Sequence, residues 1–132
     1  MQAKYCHSTH CVYNIGYHLI WCTKYRKKLL YGSIEHTLKR LVRDKGNALG
    51  LTVGAMEVMP DHVHVFVLSR QVLDPAHIAQ QLKGFTSHQL RSSFHRGRGA
   101  SALWSKSWFC ESVGHISQDT VRRYIGLQKV RG

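Results

Sequence analysis

The spacing of apolar residues divides the chain into strands and helices. Between residues 12 and 25, Tyr17 and Leu19 alternate with His18, which is the two-residue period of a β-strand. Helical spacing predicts a first helix over 33–48, capped by Ser33, and a second that Asp74 caps and that frays near residue 94. Further strands are predicted over 51–59, 62–68 and 103–113, and a last helix follows residue 117.

The predicted element order is β-α-β-β-α-β-α. Its first six elements are those of the split βαβ, ferredoxin-like and RRM-like α+β fold, an antiparallel sheet with two helices on one face. The seventh element, a C-terminal helix, is additional to that fold. The length of 132 residues suits a single domain over 1–132, and residues 1–11 are polar enough to form a poorly ordered arm.

Charge changes the picture, because 19 Lys and Arg stand against 7 Asp and Glu, a formal net charge of +12. Such an excess favours a polyanionic partner, with a nucleic acid the first expectation and an acidic membrane surface the second. No apolar stretch reaches the length of a membrane span, and the four cysteines lack the spacing of a secreted disulfide framework. We therefore expect a cytoplasmic protein with no membrane-spanning segment.

The most specific local motif is His62-Val63-His64 in the predicted third strand. Residues two apart on a strand share a face and lie about 6.5–7 Å apart, so the two imidazoles can converge on one metal ion. The alternative is a pair of solvated histidines without a role. The tight turn at Pro60-Asp61, which defines the start of the strand, favours the metal site.

The last predicted helix carries a second candidate group. Tyr124 and Gln128 are one turn apart on the face that also carries Ile125, so both side chains can reach one point. The alternative is an ordinary core-facing stripe. Arg122 and Arg123 beside the tyrosine favour a role in chemistry, because a guanidinium next to a phenol can bind the phosphate that the phenol attacks.

Three blocks together resemble one family. The segment 17–26 (YHLIWCTKYR), the segment 57–64 (EVMPDHVH) and the segment 124–128 (YIGLQ) are similar to the IS200/IS605 transposases, the small single-tyrosine members of the HUH nucleases. The resemblance extends from about residue 12 to residue 128. It implies that His62 and His64 bind a divalent cation, that Tyr124 is the nucleophile, and that Gln128 is a further metal ligand.

The resemblance also implies an activity and its partners. Members of this family act as homodimers on single-stranded DNA. The chain would bind the imperfect-palindrome hairpins at the ends of an insertion sequence and cut and rejoin the strand through a 5′-phosphotyrosine. The imidazole and amide ligands admit Mg²⁺ or Mn²⁺. The family dimer also implies active sites built in trans, with the histidines of one chain and the tyrosine of the other.

Two other interpretations remain open at this stage. One is a relaxase or replication-initiation nuclease with the same chemistry, and the other is a non-catalytic module that binds single-stranded nucleic acid on the same fold. The basic residues that we expect to contact DNA phosphates are Arg26, Lys27, Lys28, Lys83, Arg96, Arg98, Arg122 and Arg123.

Overall fold

The computed structural model describes residues 15–94 and 102–115, which form four strands, two α-helices and a short 3₁₀ helix over Lys24–Arg26. The predicted arm and the predicted C-terminal helix lie outside these residues. The elements, in chain order, are β1 (Ile15–Cys22), α1 (Ser33–Ala48), β2 (Thr52–Met59), β3 (His62–Ser69), α2 (Pro75–Phe94) and β4 (Phe109–His115).

The four strands form one antiparallel sheet in the order β2-β3-β1-β4. This is the strand order that the split βαβ connection produces, because each helix carries the chain past one intervening strand. The predicted α+β fold, with two helices against an antiparallel sheet, is therefore confirmed. Among the described residues, no helix is both long and apolar enough to cross a membrane.

The core lies between the helices and one face of the sheet. The sheet contributes almost fully buried side chains from β1 (Tyr17, Leu19 and Trp21) and the three valines of β3. The helices contribute leucines from both α1 and α2 and one isoleucine from α2. Successive side chains of a strand alternate between faces, so the residues between these core positions lie on the opposite face. We call that opposite side the open face, and it carries His18, His62 and His64.

The first strand ends three residues earlier than predicted. The Thr23 and Lys24 amides donate to the carbonyls of Asp61 and Leu103, at 3.0 and 2.9 Å, instead of continuing the sheet. Tyr25 and Arg26 follow with φ of 60° and 54°, in the left-handed region that side chains other than glycine rarely adopt. This turn brings the end of β1 against the turn that precedes β3.

Three other boundaries test the predictions made from local sequence signals. The predicted cap at Ser33 is wrong, because Gly32 occupies the cap position with φ of 63° and no side chain caps the helix. The predicted cap at Asp74 is confirmed by a hydrogen bond of 3.0 Å from the Ala76 amide to Asp74 Oδ1. The last strand begins at Phe109 rather than near residue 103.

Candidate active site

His62 and His64 lie side by side on the open face of β3, as the alternation predicted. Val63 between them is fully buried toward the helices, whereas both imidazoles are partly exposed. The strand is internal to the sheet, so each histidine has a cross-strand neighbour on either side. Glu57 of β2 lies opposite His64, and Met59 of β2 lies opposite His62.

The ring of His62 is held by the residue before it. His62 Nδ1 donates to Asp61 Oδ1 at 2.8 Å, and the other carboxylate oxygen accepts from Arg26 Nε at 3.1 Å. The Asp61 carbonyl also accepts from the Thr23 amide. Asp61 therefore ties the turn after β1 to the ring of His62, and the left-handed conformation at Arg26 is part of that connection.

The ring of His64 is held by a third histidine. His18 Nε2 and His64 Nδ1 share a hydrogen bond of 3.0 Å, with ring centroids 4.2 Å apart and ring planes at 87°. His18 belongs to β1 and lies opposite Phe66, so it reaches His64 on the diagonal across two central strands. Each histidine of the motif thus has its Nδ1 atom engaged by a neighbouring side chain.

The electrostatic environment of His64 favours its neutral form. Burial lowers the pKa of His64, and the nearby His18 and His62 lower it further, against the opposing effect of Glu57. A lowered pKa favours the neutral ring with a nitrogen lone pair. The hydrogen bond from His62 has the largest effect on the pKa of Asp61 and lowers it, burial opposes this, and Arg26 lowers the pKa further, so Asp61 accepts as a carboxylate.

The donor set fits part of a divalent metal centre. With both Nδ1 atoms engaged, the Nε2 atoms of His62 and His64 are the donors that remain, and neutral imidazole is the commonest metal ligand among side chains. Within the described ranges, no three His, Cys, Asp or Glu side chains are grouped to hold a metal ion. Any centre therefore needs at least one ligand from elsewhere. Gln128, the predicted third ligand, and Tyr124 lie outside the described residues.

The predicted DNA contacts divide into three groups. Arg26, Lys27 and Lys28 are exposed in the turn after β1, although Arg26 Nε already pairs with Asp61. Lys83 donates its ammonium to the carbonyls of Ser105, Lys106 and Ser107 at 2.8, 3.3 and 3.2 Å, so its position is structural and a phosphate contact stays untested. The others lie outside the described residues, namely Arg96, Arg98, Arg122 and Arg123.

One further surface lies beside the basic turn. Lys24, Tyr25, Lys27 and Arg91 line a shallow pocket, and the Tyr25 side chain is 78% exposed. An exposed ring between cations can stack on a nucleobase. Trp104, by contrast, is buried in the core, so it does not present its ring to a ligand.

Sequence reasoning missed His18 and used Asp61 only as a turn residue. The alternation in β1 placed His18 on the face opposite Leu19, but its contact with His64 depends on the register of two strands 46 residues apart. A signal for Asp61 was available in the sequence. A metal-binding histidine usually donates its second ring N–H to a carboxylate, a backbone carbonyl or water, and Asp61 is the carboxylate next to His62 in the sequence.

Comparison with known proteins identifies the family. The model of the IS200-like transposases matches residues 11–128. The chain is 32% identical over 120 residues to the ISDra2 transposase TnpA of Deinococcus radiodurans, covering 89% of this chain and 86% of that protein.

Solved structures agree with this relationship. The crystal structure of a Deinococcus radiodurans R1 protein assigned as a transposase superposes with a TM-score of 0.71 at 31% identity, covering 92% of this chain and 96% of that one. A REP-associated tyrosine transposase bound to a REP hairpin superposes with a TM-score of 0.59 at 13% identity, over 88% and 67% of the two chains, which supports the fold alone. The chain therefore belongs to the IS200-like transposase family, of the TnpA type.

Proposed function

We propose that this protein binds DNA hairpins at the ends of an insertion sequence and cuts and rejoins single-stranded DNA. The observation that carries the proposal is the pair of adjacent imidazoles on the open face, each held at Nδ1 by a side chain, in a chain of the IS200-like transposase family. A solvated pair of histidines without a role does not need two separate side chains to orient it.

The predicted nucleophile is Tyr124. Its phenol oxygen forms a bond to the scissile phosphorus, the bond from phosphorus to the 3′ oxygen breaks, and the phenol proton is lost while the leaving oxygen ends as a 3′-hydroxyl. The ester formed is a 5′-phosphotyrosine. Because that ester retains the free energy of the phosphodiester, a later 3′-hydroxyl reverses the step and joins new ends.

His62 and His64 are proposed to bind the divalent cation, Mg²⁺ or Mn²⁺, with Gln128 as the third protein ligand. The metal ion would polarise the scissile phosphate and stabilise the negative charge that develops on it. The protein's own task is to fix the orientation of both imidazoles, and the partners Asp61 and His18 are suited to that task.

DNA binding is proposed to involve the turn after β1. Binding to a phosphate backbone is favoured by the net charge of +12 and by the exposed Lys27 and Lys28. The pocket beside Tyr25 favours contact with an unpaired base. The hairpin is proposed as the DNA form because the chain belongs to the IS200-like transposase family, whose resemblance implied it. The proposed assembly is a homodimer with active sites built in trans.

The first experiment detects the covalent intermediate. Wild-type protein and a single-stranded oligonucleotide that carries a hairpin and its flank are incubated with Mn²⁺ and separated on a denaturing gel. We expect a covalent adduct with wild-type protein and none with Tyr124→Phe, which removes one oxygen and keeps the ring. The matched control is Tyr31→Phe, at an exposed tyrosine, which should form the adduct normally.

The possible outcomes separate the interpretations. Hairpin binding by Tyr124→Phe should remain near the wild-type level, because the phenol oxygen contributes to chemistry rather than to affinity. A non-catalytic binding module would retain DNA and form no adduct with any variant. An adduct that persists in Tyr124→Phe would assign the nucleophile to another tyrosine and overturn the proposed mechanism.

A mixing experiment tests the arrangement in trans. His62→Ala and Tyr124→Phe proteins are each inactive alone under the proposal. After subunit exchange, a heterodimer with sites in trans combines one intact histidine pair with one intact tyrosine, and cleavage returns at part of the wild-type rate. With sites in cis, every site keeps one defect. Verified exchange without restored cleavage would therefore rule out the trans arrangement.

A further inference from the structure

Within residues 15–94 and 102–115, His18 is the histidine that lies outside the His62-Val63-His64 motif and yet contacts it directly. Its Nε2 atom is 3.0 Å from His64 Nδ1, and the two rings meet edge to face. The contact is not a consequence of direct pairing. Ile20 is the residue opposite His64, and His18 reaches across from the neighbouring pair, where it faces Phe66.

Phe66 and Gly16 help to place the His18 ring. The Phe66 ring lies over Gly16 so closely that a Cβ there would come within 2.5 Å of it. His18 packs against the edge of the same ring, with centroids 6.1 Å apart and planes at 64°. His18 therefore has Phe66 on one side and His64 on the other, which restricts the directions in which Nε2 can point.

The protonation pattern of the pair decides which nitrogen of His64 is available. A neutral imidazole has one N–H and one lone pair. If His64 donates from Nδ1, its lone pair is on Nε2, and His18 accepts at Nε2. If the bond runs the other way, Nε2 of His64 carries the proton and cannot bind a metal ion. The same requirement is met at His62 by Asp61, which accepts from Nδ1.

We infer that His18 is a positioning residue that accepts a hydrogen bond from His64 Nδ1, and so presents His64 Nε2 to the metal ion. The inference rests on the proposed metal centre and assigns it an outer partner from β1. The two central strands then hold the site together, because one imidazole is oriented from β1 and the other from the turn before β3. His18 itself does not bind the metal ion.

The first test measures the proton position directly. In full-length metal-free protein labelled with ¹⁵N-histidine, long-range ¹H–¹⁵N correlation spectra at alkaline pH distinguish the two neutral forms of each ring. We expect His64 to carry its proton on Nδ1 in the wild type and to lose that single preference in His18→Leu. A wild-type His64 with the proton on Nε2 would overturn the inference, whatever the fate of the proposed nuclease activity.

The second test measures Mn²⁺ affinity. Only the Mn²⁺ binding that is lost in His62→Ala is assigned to the site. Loss of an outer partner weakens metal binding by about 10–100-fold, so His18→Leu should fall in that range. His18→Gln offers an amide oxygen at a similar reach and should recover most of the affinity. His88→Leu, at an exposed histidine of α2, is the matched control and should bind normally.

The outcomes separate the inference from the proposed function. Equal Mn²⁺ affinity in wild-type and His18→Leu proteins would overturn the positioning role and leave the metal centre standing. A reduction that His18→Gln does not recover, together with a lowered melting temperature in both variants, would assign His18 to packing and also overturn it. A wild-type protein without any site that depends on His62 would overturn the metal centre and this inference together.

Discussion

Asp61 offers the sharpest single perturbation of the proposed metal centre. Its two carboxylate oxygens have different partners, His62 Nδ1 at 2.8 Å and Arg26 Nε at 3.1 Å. Its backbone carbonyl accepts from the Thr23 amide, and a side-chain substitution leaves that bond in place. Asp61→Ala therefore removes both side-chain contacts, whereas Asp61→Asn and Arg26→Gln affect mainly the contact with Arg26, and the backbone bond is retained in each.

The expected order of Mn²⁺ affinity follows from these contacts. Asp61→Ala leaves His62 without its acceptor and should weaken binding by about 10–100-fold, the usual effect of losing a carboxylate partner. Asp61→Asn keeps an oxygen for His62 but cannot accept from Arg26 at the same time. Arg26→Gln removes only the contact between the Arg26 guanidinium and the Asp61 carboxylate. These two should therefore fall between wild type and Asp61→Ala.

The assay is Mn²⁺ titration of full-length protein, with free Mn²⁺ measured by electron paramagnetic resonance. Cleavage by Asp61→Ala should recover as the Mn²⁺ concentration rises, because the defect lies in affinity rather than in the nucleophile. Thermal unfolding of the metal-free variants serves as the control for folding. Wild-type affinity in Asp61→Ala would refute the reasoning, and so would a larger loss in Arg26→Gln than in Asp61→Ala.

Three further substitutions address the ligands, the loop before β4 and the core. His62→Ala should abolish metal-dependent cleavage without lowering the melting temperature. EDTA should abolish cleavage by the wild-type protein, and full activity in EDTA would exclude a metal role. Lys83→Met should lower the free energy of unfolding by about 1 kcal/mol, because Lys83 donates to three backbone carbonyls. For the same reason, it should reduce hairpin affinity less than Lys28→Met does. Thr86→Val should cost about 1–3 kcal/mol in urea unfolding, because it leaves the buried Trp104 Nε1 without its acceptor at 3.0 Å; an unchanged midpoint would contradict that account.

The fold was predictable because its signals are local. Alternation in β1 and β3 identified the buried faces, and the structure shows Leu19 and Val65 buried while His18 and His64 lie on the other side. The residues at which strands and helices begin and end were harder to predict. The end of β1 depends on hydrogen bonds from Thr23 and Lys24 to residues far along the chain, and no pattern within the strand encodes them.

The candidate site was predictable only where its residues are neighbours in sequence. His62 and His64 could be placed on one face, because two positions on one strand share a face whatever the rest of the fold does. The contact of His18 with His64 required the register between β1 and β3, which the resemblance did not provide. Lys83 shows the converse limit, since composition does not distinguish a lysine that binds phosphate from one that donates to carbonyls.

The position of the imidazoles has a consequence for how the chemistry is divided along the chain. The two helices cover one face of the sheet, so a ligand approaching the central strands must come from the open face. There the described residues supply two imidazole donors with their orienting partners, but no complete set of metal ligands. The proposed nucleophile and third ligand belong to a different segment, at Tyr124 and Gln128. We therefore expect the proposed metal binding by the sheet and the proposed attack by Tyr124 to be separable by mutation, and that separability is the condition for building the proposed site from two chains.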